Sequence, residues 1–357
     1  MTTHELFRAE NLPVYQNRMF PDEQSAVSCP TGDIVLVQDL RTGLIYNATF
    51  DPDLLHYDNE YQNEQAHSAV FRKHLEEVAT ILDRHCHGKT IVEIGCGKGH
   101  FLEYLDSLGH DAVGIDPAYE EDNPLITKGS FIRGVGLKGE CIVLRHVLEH
   151  IWDPVDFLAE IAVASNNRGI VYIEVPCFDW ICGNRAWFDI FYEHVNYFRL
   201  EDLLGMFRVV HEAGQIFRQQ YLYIVADLAT LRTPCFSSAV EFPENFLSDL
   251  EFLTRFNTSG ARQALWGAGA KCMMFAFYKR QAGRPADLAI DMNPAKQGKY
   301  LAGSGLYVLS PSQASDLLAD GDTVFIMNSN YTDEIVALSG NRYRYIRVDR
   351  HELPRGS

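Results

Sequence analysis

The segment from Thr90 to Asp116 limits the possible folds of this chain more than any other stretch of the sequence. It opens with a short run rich in β-branched residues, and glycines follow at positions 95, 97 and 99. A buried strand that ends in such a turn brings backbone close to a ligand, because glycine adopts positive φ angles without steric cost. Apolar residues then recur at helical spacing, Gly109 ends the helix, and a second strand ends at Asp116. The pattern predicts a strand, a ligand-binding turn, a helix and a second strand.

The spacing of the glycines discriminates between two nucleotide cofactors. Dinucleotide-binding turns favour G-x-G-x-x-G and place a pyrophosphate at the helix N-terminus. Here Gly95, Gly97 and Gly99 are spaced G-x-G-x-G, and Glu93 stands two residues before the first of them. A carboxylate at this point repels a diphosphate but attracts a cation, such as the amino or sulfonium group of S-adenosylmethionine. We therefore expect S-adenosylmethionine rather than a nicotinamide cofactor, with Asp116 accepting hydrogen bonds from the ribose hydroxyls. In this order the residues resemble motif I of class I S-adenosylmethionine-dependent methyltransferases.

Length and charge narrow the range of partners. The chain has 357 residues, enough for two or three compact units, and a net charge of −17 without a basic cluster. This balance argues against nucleic acid or an anionic membrane surface and favours a small-molecule substrate. The N-terminal residues lack the apolar core of a signal peptide, and no run of about 18 apolar residues occurs. We expect a cytoplasmic enzyme.

The alternation of predicted strands and helices indicates the fold class. Strands near residues 90, 112, 141 and 170 predict an α/β protein with a Rossmann-like, doubly wound parallel sheet in residues 69–234. A small β-rich unit and a lid precede this domain in residues 1–68. Residues 235–259 are predicted to form a connector helix, and residues 260–357 a second Rossmann-like α/β domain.

Further cofactor contacts are expected where the parallel strands end, because ligands bind at the carboxyl edge of such sheets. Pro117 and His146 each follow a predicted strand. A polar, aromatic lead-in before residue 69 suggests a lid over the cofactor, with Tyr61 and Ser68 as contacts. The alternative is that these are surface residues of a linker.

Two patterns that suggest metal binding are not convincing in context. The eight cysteines are scattered without a C-x-x-C pair, so neither a zinc site nor a disulfide framework is expected, and most of the thiols are predicted to be buried as small hydrophobic side chains. His146, Glu149 and His150 match the H-x-x-E-H pattern of zinc proteases. That pattern needs a helix, whereas here it follows a predicted parallel strand. The sequence therefore predicts no metal.

The catalytic groups are expected between residues 188 and 198, which are dense in aromatic side chains. His194 can take a proton near neutral pH, Glu193 can orient it, and Tyr192 or Tyr197 can donate to a developing oxyanion. The alternative is that these residues cap a helix and fill an aromatic core. Their place beyond the fourth predicted strand favours the catalytic interpretation.

This segment looks like the I-Y-H-E-H-x-x-Y-F motif of sugar-nucleotide C-methyltransferases. Residues 265–271 (LWGAGAK), 290–301 and 328–335 resemble later signatures of the same family. The resemblance implies methylation of a carbon beside a keto group on a nucleotide-linked sugar, in the course of its biosynthesis. Lys271, Asn196 and Asn330 are candidate substrate contacts. The turn at residues 267–269 could place helix N-terminal amides against a phosphate, with Lys271 adding charge; the alternative is that this loop only packs.

Two departures from the family pattern matter. The family begins with a four-cysteine zinc unit, but Cys29 is the only cysteine before the central domain. The family's tyrosine falls on Phe191 and its first histidine on Tyr192, so the hydroxyl must come from elsewhere or the substrate differs. Two alternatives remain open: an oxygen or nitrogen methyltransferase on the same scaffold, and a non-catalytic nucleotide-binding protein.

Overall fold

The computed structural model describes residues 2–56, 68–120, 122–131, 139–256 and 260–350. Their strands form a seven-stranded central sheet, a five-stranded C-terminal sheet, a four-stranded N-terminal sheet and one two-stranded ribbon. The α/β class and the doubly wound central sheet predicted from the sequence are confirmed.

The central sheet has the strand order β11-β12-β9-β8-β5-β6-β7. Strands β9, β8, β5, β6 and β7 run parallel, and β12 is antiparallel to both of its neighbours. The elements of this domain are α2 (Ala69–Cys86), β5 (Ile91–Ile94), α3 (His100–Ser107), β6 (Ala112–Asp116), β7 (Ile126–Lys128), β8 (Cys141–Arg145), α4 (Pro154–Ala164), β9 (Ile170–Pro176), α5 (Phe178–Gly183), α6 (Leu200–Gly205), β11 (Val210–Ile216) and β12 (Tyr221–Asp227).

The central strands form because their side chains are buried on both faces of the sheet. Strands β5 and β8 are short and rich in β-branched residues, with Ile91 and Val143 both fully buried. Helix α2 covers one face, and Ser68 accepts hydrogen bonds from the first backbone N–H groups of this helix as its N-cap. Asp153 caps α4 in the same way. The parallel strands all end at one edge of the sheet, where the predicted cofactor residues follow.

The N-terminal unit is an antiparallel sheet in the order β1-β3-β4-β10. It comprises β1 (Thr3–Pro13), β2 (Met19–Phe20), α1 (Glu23–Val27), β3 (Thr31–Asp39) and β4 (Ile45–Asn47). Its last strand, β10 (Asn196–Tyr197), comes from the segment predicted to be catalytic. The N-terminal unit therefore packs directly against that segment.

The C-terminal domain is a parallel sheet in the order β16-β14-β13-β17-β18. Strand β15 instead pairs with β2 of the N-terminal unit. The elements are α7 (Ser248–Arg255), β13 (Gln263–Trp266), α8 (Ala270–Gln281), β14 (Leu288–Ile290), β15 (Tyr300–Leu301), β16 (Val308–Leu309), α9 (Pro311–Leu317), β17 (Thr323–Ile326), α10 (Thr332–Leu338) and β18 (Arg344–Arg347).

One cysteine pair departs from the sequence prediction. Cys86 at the end of α2 and Cys141 at the start of β8 form a disulfide bond. They are 55 residues apart in the chain, so spacing along the sequence gave no signal for a pairing that the packing of α2 on the sheet creates. Of the helices that the structure describes, none has the length and apolar character needed to cross a membrane.

Candidate active site

The glycine turn after β5 has the geometry of a nucleoside site. Gly95, Gly97 and Gly99 have φ angles of 75°, 57° and 84°, a region that other residues rarely adopt. A Cβ on Gly95 would lie 2.5 Å from a Val147 methyl carbon, so the turn also packs too tightly for a side chain. Asp116 accepts a hydrogen bond of 2.8 Å from the Gly97 N–H, which fixes its carboxylate beside the turn. The three glycines and Asp116 thus lie together at the strand ends, with Pro117 directly after the second strand; that they bind the cofactor stays a prediction.

Glu93 is buried behind this turn. Its Oε1 accepts a hydrogen bond of 3.2 Å from Arg145, whereas its Oε2 is buried with no partner among the residues that the structure describes. Burial raises the pKa of Glu93 to about 7, against the opposing effect of the Arg145 charge. A buried carboxylate oxygen without a donor is the kind of group that a bound amino group satisfies. The turn, Asp116 and Glu93 therefore fit S-adenosylmethionine.

A cavity of about 250 Å³ lies between the central domain and the C-terminal domain. It opens at the carboxyl edge of the central sheet, and part of its wall comes from the turn after β13. Its lining includes Asn17, Ser68, His146, Glu149, His150, Asp189, Phe191, His194, Gln220 and Tyr221 on one side, and Trp266, Gly267, Gly269, Lys271, Asp291, Asn293, Lys296 and Asn328 on the other.

His146 lies in a network of carboxylates. His146 directly follows β8, and its backbone φ of 53° is unusual for a residue with a side chain. Nδ1 lies 3.3 Å from Glu149 Oε1, and Nε2 lies 3.2 Å from Glu174 Oε1 without good hydrogen-bond alignment. Burial alone would lower the pKa of His146, but Glu149 and Glu174 raise it to about 9. His146 is therefore a cation at neutral pH.

Glu174 keeps its negative charge although it is fully buried. It receives hydrogen bonds from Tyr172 (2.7 Å) and His74 (3.0 Å), and Arg145 lies nearby. These partners outweigh burial and hold the pKa of Glu174 well below its usual value. The charged groups behind His146 are thus compensated inside the protein.

His194 has the opposite electrostatic environment. The residue is only 9 % exposed, and its Nδ1 is buried without a partner among the described residues. Burial, together with the nearby His150, His146 and Lys271, lowers the pKa of His194 well below its usual value. The ring is therefore neutral at physiological pH and can accept a proton. A cationic and a neutral histidine in one cavity are a suitable pair for acid and base roles.

The structure does not bring the other three predicted catalytic residues into the cavity. Tyr192 accepts a hydrogen bond of 2.8 Å through its hydroxyl from the Asp51 N–H, and the Tyr197 hydroxyl bonds to the backbone of Phe191. Glu193 does not contact the His194 ring, because its carboxylate accepts hydrogen bonds from residues 16 and 17 of the N-terminal unit. The predicted orientation of His194 by Glu193, and the predicted oxyanion contacts, therefore need correction.

Of the remaining predicted cofactor and substrate contacts, some line the cavity and others form hydrogen bonds elsewhere. Ser68 and Lys271 line the cavity. Asn196 instead donates to the Ile151 oxygen, and Asn330 donates to the Phe217 oxygen, and neither residue is part of the cavity lining. The Asn330 Oδ1 is buried without a hydrogen-bond partner among the described residues. Tyr61 lies outside the residues that the structure describes.

Several cavity residues were missed or undervalued by sequence reasoning. Asn17, Gln220 and Tyr221 come from distant parts of the chain and carry no motif. Glu149 and His150 stood in a recognised motif, but their function stayed open. Asp291 had a usable signal, because it ends a strand that follows a glycine turn, as Asp116 does.

One cluster has the composition of a metal site. Glu149, His150 and His194 bring potential ligand atoms to within 4.8 Å of one another. The backbone oxygen of Glu193 accepts a hydrogen bond of 2.8 Å from His150 Nδ1. The sequence predicts no metal, and this stays a prediction.

Comparison with known proteins agrees with this geometry. Residues 63–211 match the family model described as a methyltransferase domain, and residues 236–344 match the model of a C-methyltransferase C-terminal domain. The C-methyltransferase NovU of Streptomyces niveus is 25 % identical over 329 residues, which cover 80 % of this chain and 77 % of NovU. The chain belongs to the class I S-adenosylmethionine-dependent C-methyltransferases.

Other relatives of this C-methyltransferase are similar over shorter stretches. A probable S-adenosylmethionine-dependent methyltransferase of Mycolicibacterium smegmatis is 25 % identical over 118 residues, 30 % of this chain and 45 % of that protein. Among solved structures, a Burkholderia thailandensis 1,6-didemethyltoxoflavin-N1-methyltransferase covers 53 % of this chain and 97 % of its own, with 14 % identity and a TM-score of 0.34. The matched methyltransferase domain, and not the similarity to these structures, assigns S-adenosylmethionine as the cofactor.

Proposed function

We propose that this C-methyltransferase methylates a carbon next to a keto group in a nucleotide-linked sugar, with His194 as the base. The observation that carries the proposal is the buried, neutral His194 in the wall of an inter-domain cavity, with an Nδ1 that has no hydrogen-bond partner among the described residues. A carbon–hydrogen bond beside a carbonyl needs a base before that carbon becomes nucleophilic. The similarity to NovU over most of both chains supports a carbon acceptor.

S-adenosylmethionine supplies an electrophilic methyl group, and the chain would hold it with the glycine turn, Glu93 and Asp116. His194 takes the proton from the acceptor carbon, which becomes the enolate carbon that forms the new bond to the methyl group. The cofactor would supply this methyl group from its sulfonium centre and leave as S-adenosylhomocysteine, with the electron pair of the broken carbon–sulfur bond on sulfur. The proton on His194 returns to solvent after product release.

The enolate oxygen needs electrostatic stabilisation during this step. Because the hydroxyls of Tyr192 and Tyr197 are bonded elsewhere, we assign this role to Tyr221 and His146. Tyr221 begins β12 beside the end of β9, and its ring packs 4.4 Å from the His146 ring. Burial raises the pKa of Tyr221 well above its usual value, so its hydroxyl keeps its proton and remains a donor.

Hydrogen exchange tests the base separately from methyl transfer. The protein is incubated in deuterium oxide with S-adenosylhomocysteine and a 4-keto deoxysugar linked to thymidine diphosphate. In this incubation we expect deuterium at the carbon beside the keto group. In a second incubation, with S-adenosylmethionine labelled in its methyl group, we expect the methyl label on that same carbon. A methyl label on oxygen or nitrogen would refute the proposal. So would a wild-type enzyme that transfers methyl groups but catalyses no more hydrogen exchange than the His194→Gln variant does.

A further inference from the structure

Glu174 on β9 is an anion in the interior of the central domain. The residue is fully buried and does not line the cavity. Although burial acts to raise the pKa of Glu174, the positive groups nearby hold this pKa well below its usual value. An ionised carboxylate is costly to remove from water, and apolar side chains of similar volume often give an equally stable protein. Stability alone therefore does not account for a carboxylate at this position.

Two buried partners fix the Glu174 carboxylate in one direction. Tyr172, on the same strand, donates a hydrogen bond of 2.7 Å to Oε2, and His74 Nε2 on α2 lies 3.0 Å from Oε1. Both partners are almost fully buried. Because they belong to the sheet and to the helix that covers it, the carboxylate cannot turn away without disturbing the packing between the two. Glu174 is thus a fixed anion.

This fixed anion holds His146 at two points. The backbone N–H of His146 donates a hydrogen bond of 2.9 Å to the backbone oxygen of Glu174. The side chain of Glu174 places Oε1 at 3.2 Å from His146 Nε2, while Glu149 Oε1 lies 3.3 Å from Nδ1. Each ring nitrogen of His146 therefore faces a carboxylate. The other titratable neighbours of the ring include Tyr221 and His194, both uncharged at physiological pH.

The backbone of His146 needs this support. Its φ of 53° lies in the left-handed region, which costs free energy for a residue with a side chain and persists only where the surroundings impose it. Such conformations cluster at functional sites, and His146 lines the cavity. Glu174 supplies both a backbone contact and a side-chain contact that oppose relaxation of this conformation.

We propose that Glu174 is a positioning residue for methyl transfer, which fixes the ring orientation and the positive charge of His146. A cation that is already in place where negative charge develops stabilises a transition state without reorganisation. Glu174 acts through His146, since it is not part of the cavity wall itself. That His146 faces an enolate oxygen rests on the proposed function, whereas the control of the His146 ring by Glu174 does not.

A double-mutant cycle in kcat tests whether Glu174 acts through His146. Labelled methyl transfer to a 4-keto deoxysugar linked to thymidine diphosphate is measured at saturating S-adenosylmethionine in wild type, Glu174→Gln, His146→Gln and the double variant. We expect kcat to fall about 10- to 100-fold in each single variant, as for loss of a hydrogen bond to a charged group. The double variant should lie within about threefold of His146→Gln, because both changes remove one interaction. The KM for the acceptor should change less than kcat.

Glu212→Gln is the matched control. Glu212 also has a histidine and a tyrosine as partners, with His85 Nε2 at 2.7 Å and the Tyr223 hydroxyl at 2.9 Å, but it does not line the cavity and does not contact His146. This variant should retain wild-type kcat, so a general effect of removing a paired carboxylate is separated from an effect on His146.

The charge of the His146 ring gives a measurement that needs no acceptor. Its ¹⁵N chemical shifts are assigned by comparison with His146→Gln and read at pH 7. We expect an imidazolium ring in wild type and in Glu212→Gln. In Glu174→Gln we expect a larger neutral fraction, because burial lowers the pKa of His146 and one of the two carboxylates that oppose burial is gone.

Two results would overturn the inference. One is a double variant whose loss in kcat equals the product of the two single losses, since Glu174 would then act independently of His146. The other is an unchanged ring charge together with wild-type kcat in Glu174→Gln. A methyl label on oxygen or nitrogen with a non-additive cycle would instead defeat the proposed function and support the positioning role.

A milder variant keeps the test decisive if Glu174→Gln does not show cooperative unfolding in urea. Tyr172→Phe removes one hydrogen bond from the carboxylate and leaves its charge. We expect kcat to fall about 3- to 10-fold when this change is made in wild type and by less than about twofold when it is made in His146→Gln. An equal fall in both backgrounds would count against the inference.

Discussion

Replacement of His194 by alanine is the most direct test of the catalytic assignment. A general base typically contributes about 10²- to 10⁴-fold to the rate, or roughly 2.7–5.4 kcal/mol at about 1.36 kcal/mol per tenfold. Because His194 is neutral at physiological pH, essentially all of the enzyme has the base in its active form. The residue is also 9 % exposed, so bulk water is a poor substitute. We therefore expect kcat to fall by about 10³-fold, in the middle of that range.

Cofactor affinity separates this loss from structural damage. The residues that hold Asp116 and the glycine turn lie outside the cavity wall that His194 forms. We expect the Kd for S-adenosylhomocysteine to stay within twofold of wild type in His194→Ala. His211→Ala, at an exposed position, is the matched control and should retain full turnover. The assay pairs initial rates of labelled methyl transfer with calorimetry of S-adenosylhomocysteine binding.

The pH profile gives an independent check. The pKa of His194 lies well below its usual value, so wild-type kcat should remain flat as the pH falls from 8 to about 6.5, the ordinary pKa of histidine. A rate that halves near that value would show a base with an ordinary pKa. A fall in kcat of less than tenfold in His194→Ala, or an equal loss of cofactor affinity, would refute the reasoning.

Three further predictions concern the affinity for the cofactor, the pH dependence of stability and the presence of a metal. In Glu93→Gln the Kd for S-adenosylmethionine should rise about 10- to 100-fold, because a charge-assisted hydrogen bond is worth roughly 1.5–3 kcal/mol. Since the pKa of Glu93 is about 7, the wild-type affinity for S-adenosylmethionine, measured by calorimetry, should also weaken as the pH falls below 7. The affinity of the Glu93→Gln variant should not change over this pH range. The pKa of His146 is raised from about 6.5 to about 9, so its stabilising contribution, on the order of 3 kcal/mol, is present below pH 6.5 and lost as the pH rises through 9. Urea unfolding at pH 7 and pH 10 should therefore show a smaller pH difference for His146→Gln than for wild type. Dialysis against a chelator should leave turnover unchanged, and a loss restored by zinc would assign a metal to Glu149, His150 and His194.

Local sequence patterns were sufficient for the framework of the fold. The strand before Gly95, the turn itself and the strand that ends at Asp116 lie where predicted, because each depends on neighbours within a few residues. The repeated pattern at Gly267 was also recognised as a strand and turn. Its aspartate, Asp291, was not assigned a function, although the same rule that identified Asp116 applied to it.

Side-chain direction was the part that the sequence could not supply. The segment around His194 has the residue types of a catalytic site, but residues 192 and 193 form a turn, closed by a hydrogen bond from the His194 N–H to the Phe191 oxygen, and no strand or helix period predicts where their side chains point. His194 faces the cavity, while Glu193 and Tyr192 contact the N-terminal unit. The long-range partners, Gln220 and Tyr221 among them, depend on how β12 pairs with β9, and no local pattern encodes that pairing.

The segment that carries His194 is held by both flanking units, so we expect the chemistry to depend on the whole chain. The N-terminal unit binds Glu193 through the Gln16 N–H at 2.6 Å, and the C-terminal domain binds Asp189 through Lys271 at 2.8 Å. Trp187 also packs 5.7 Å from the ring of Phe275 in α8. By contrast, the glycine turn and Asp116 are held within the central domain. We therefore expect cofactor binding to depend on the central domain, and placement of His194, the proposed base, to depend on all three units. A perturbation at either inter-unit contact should therefore lower kcat before it lowers cofactor affinity.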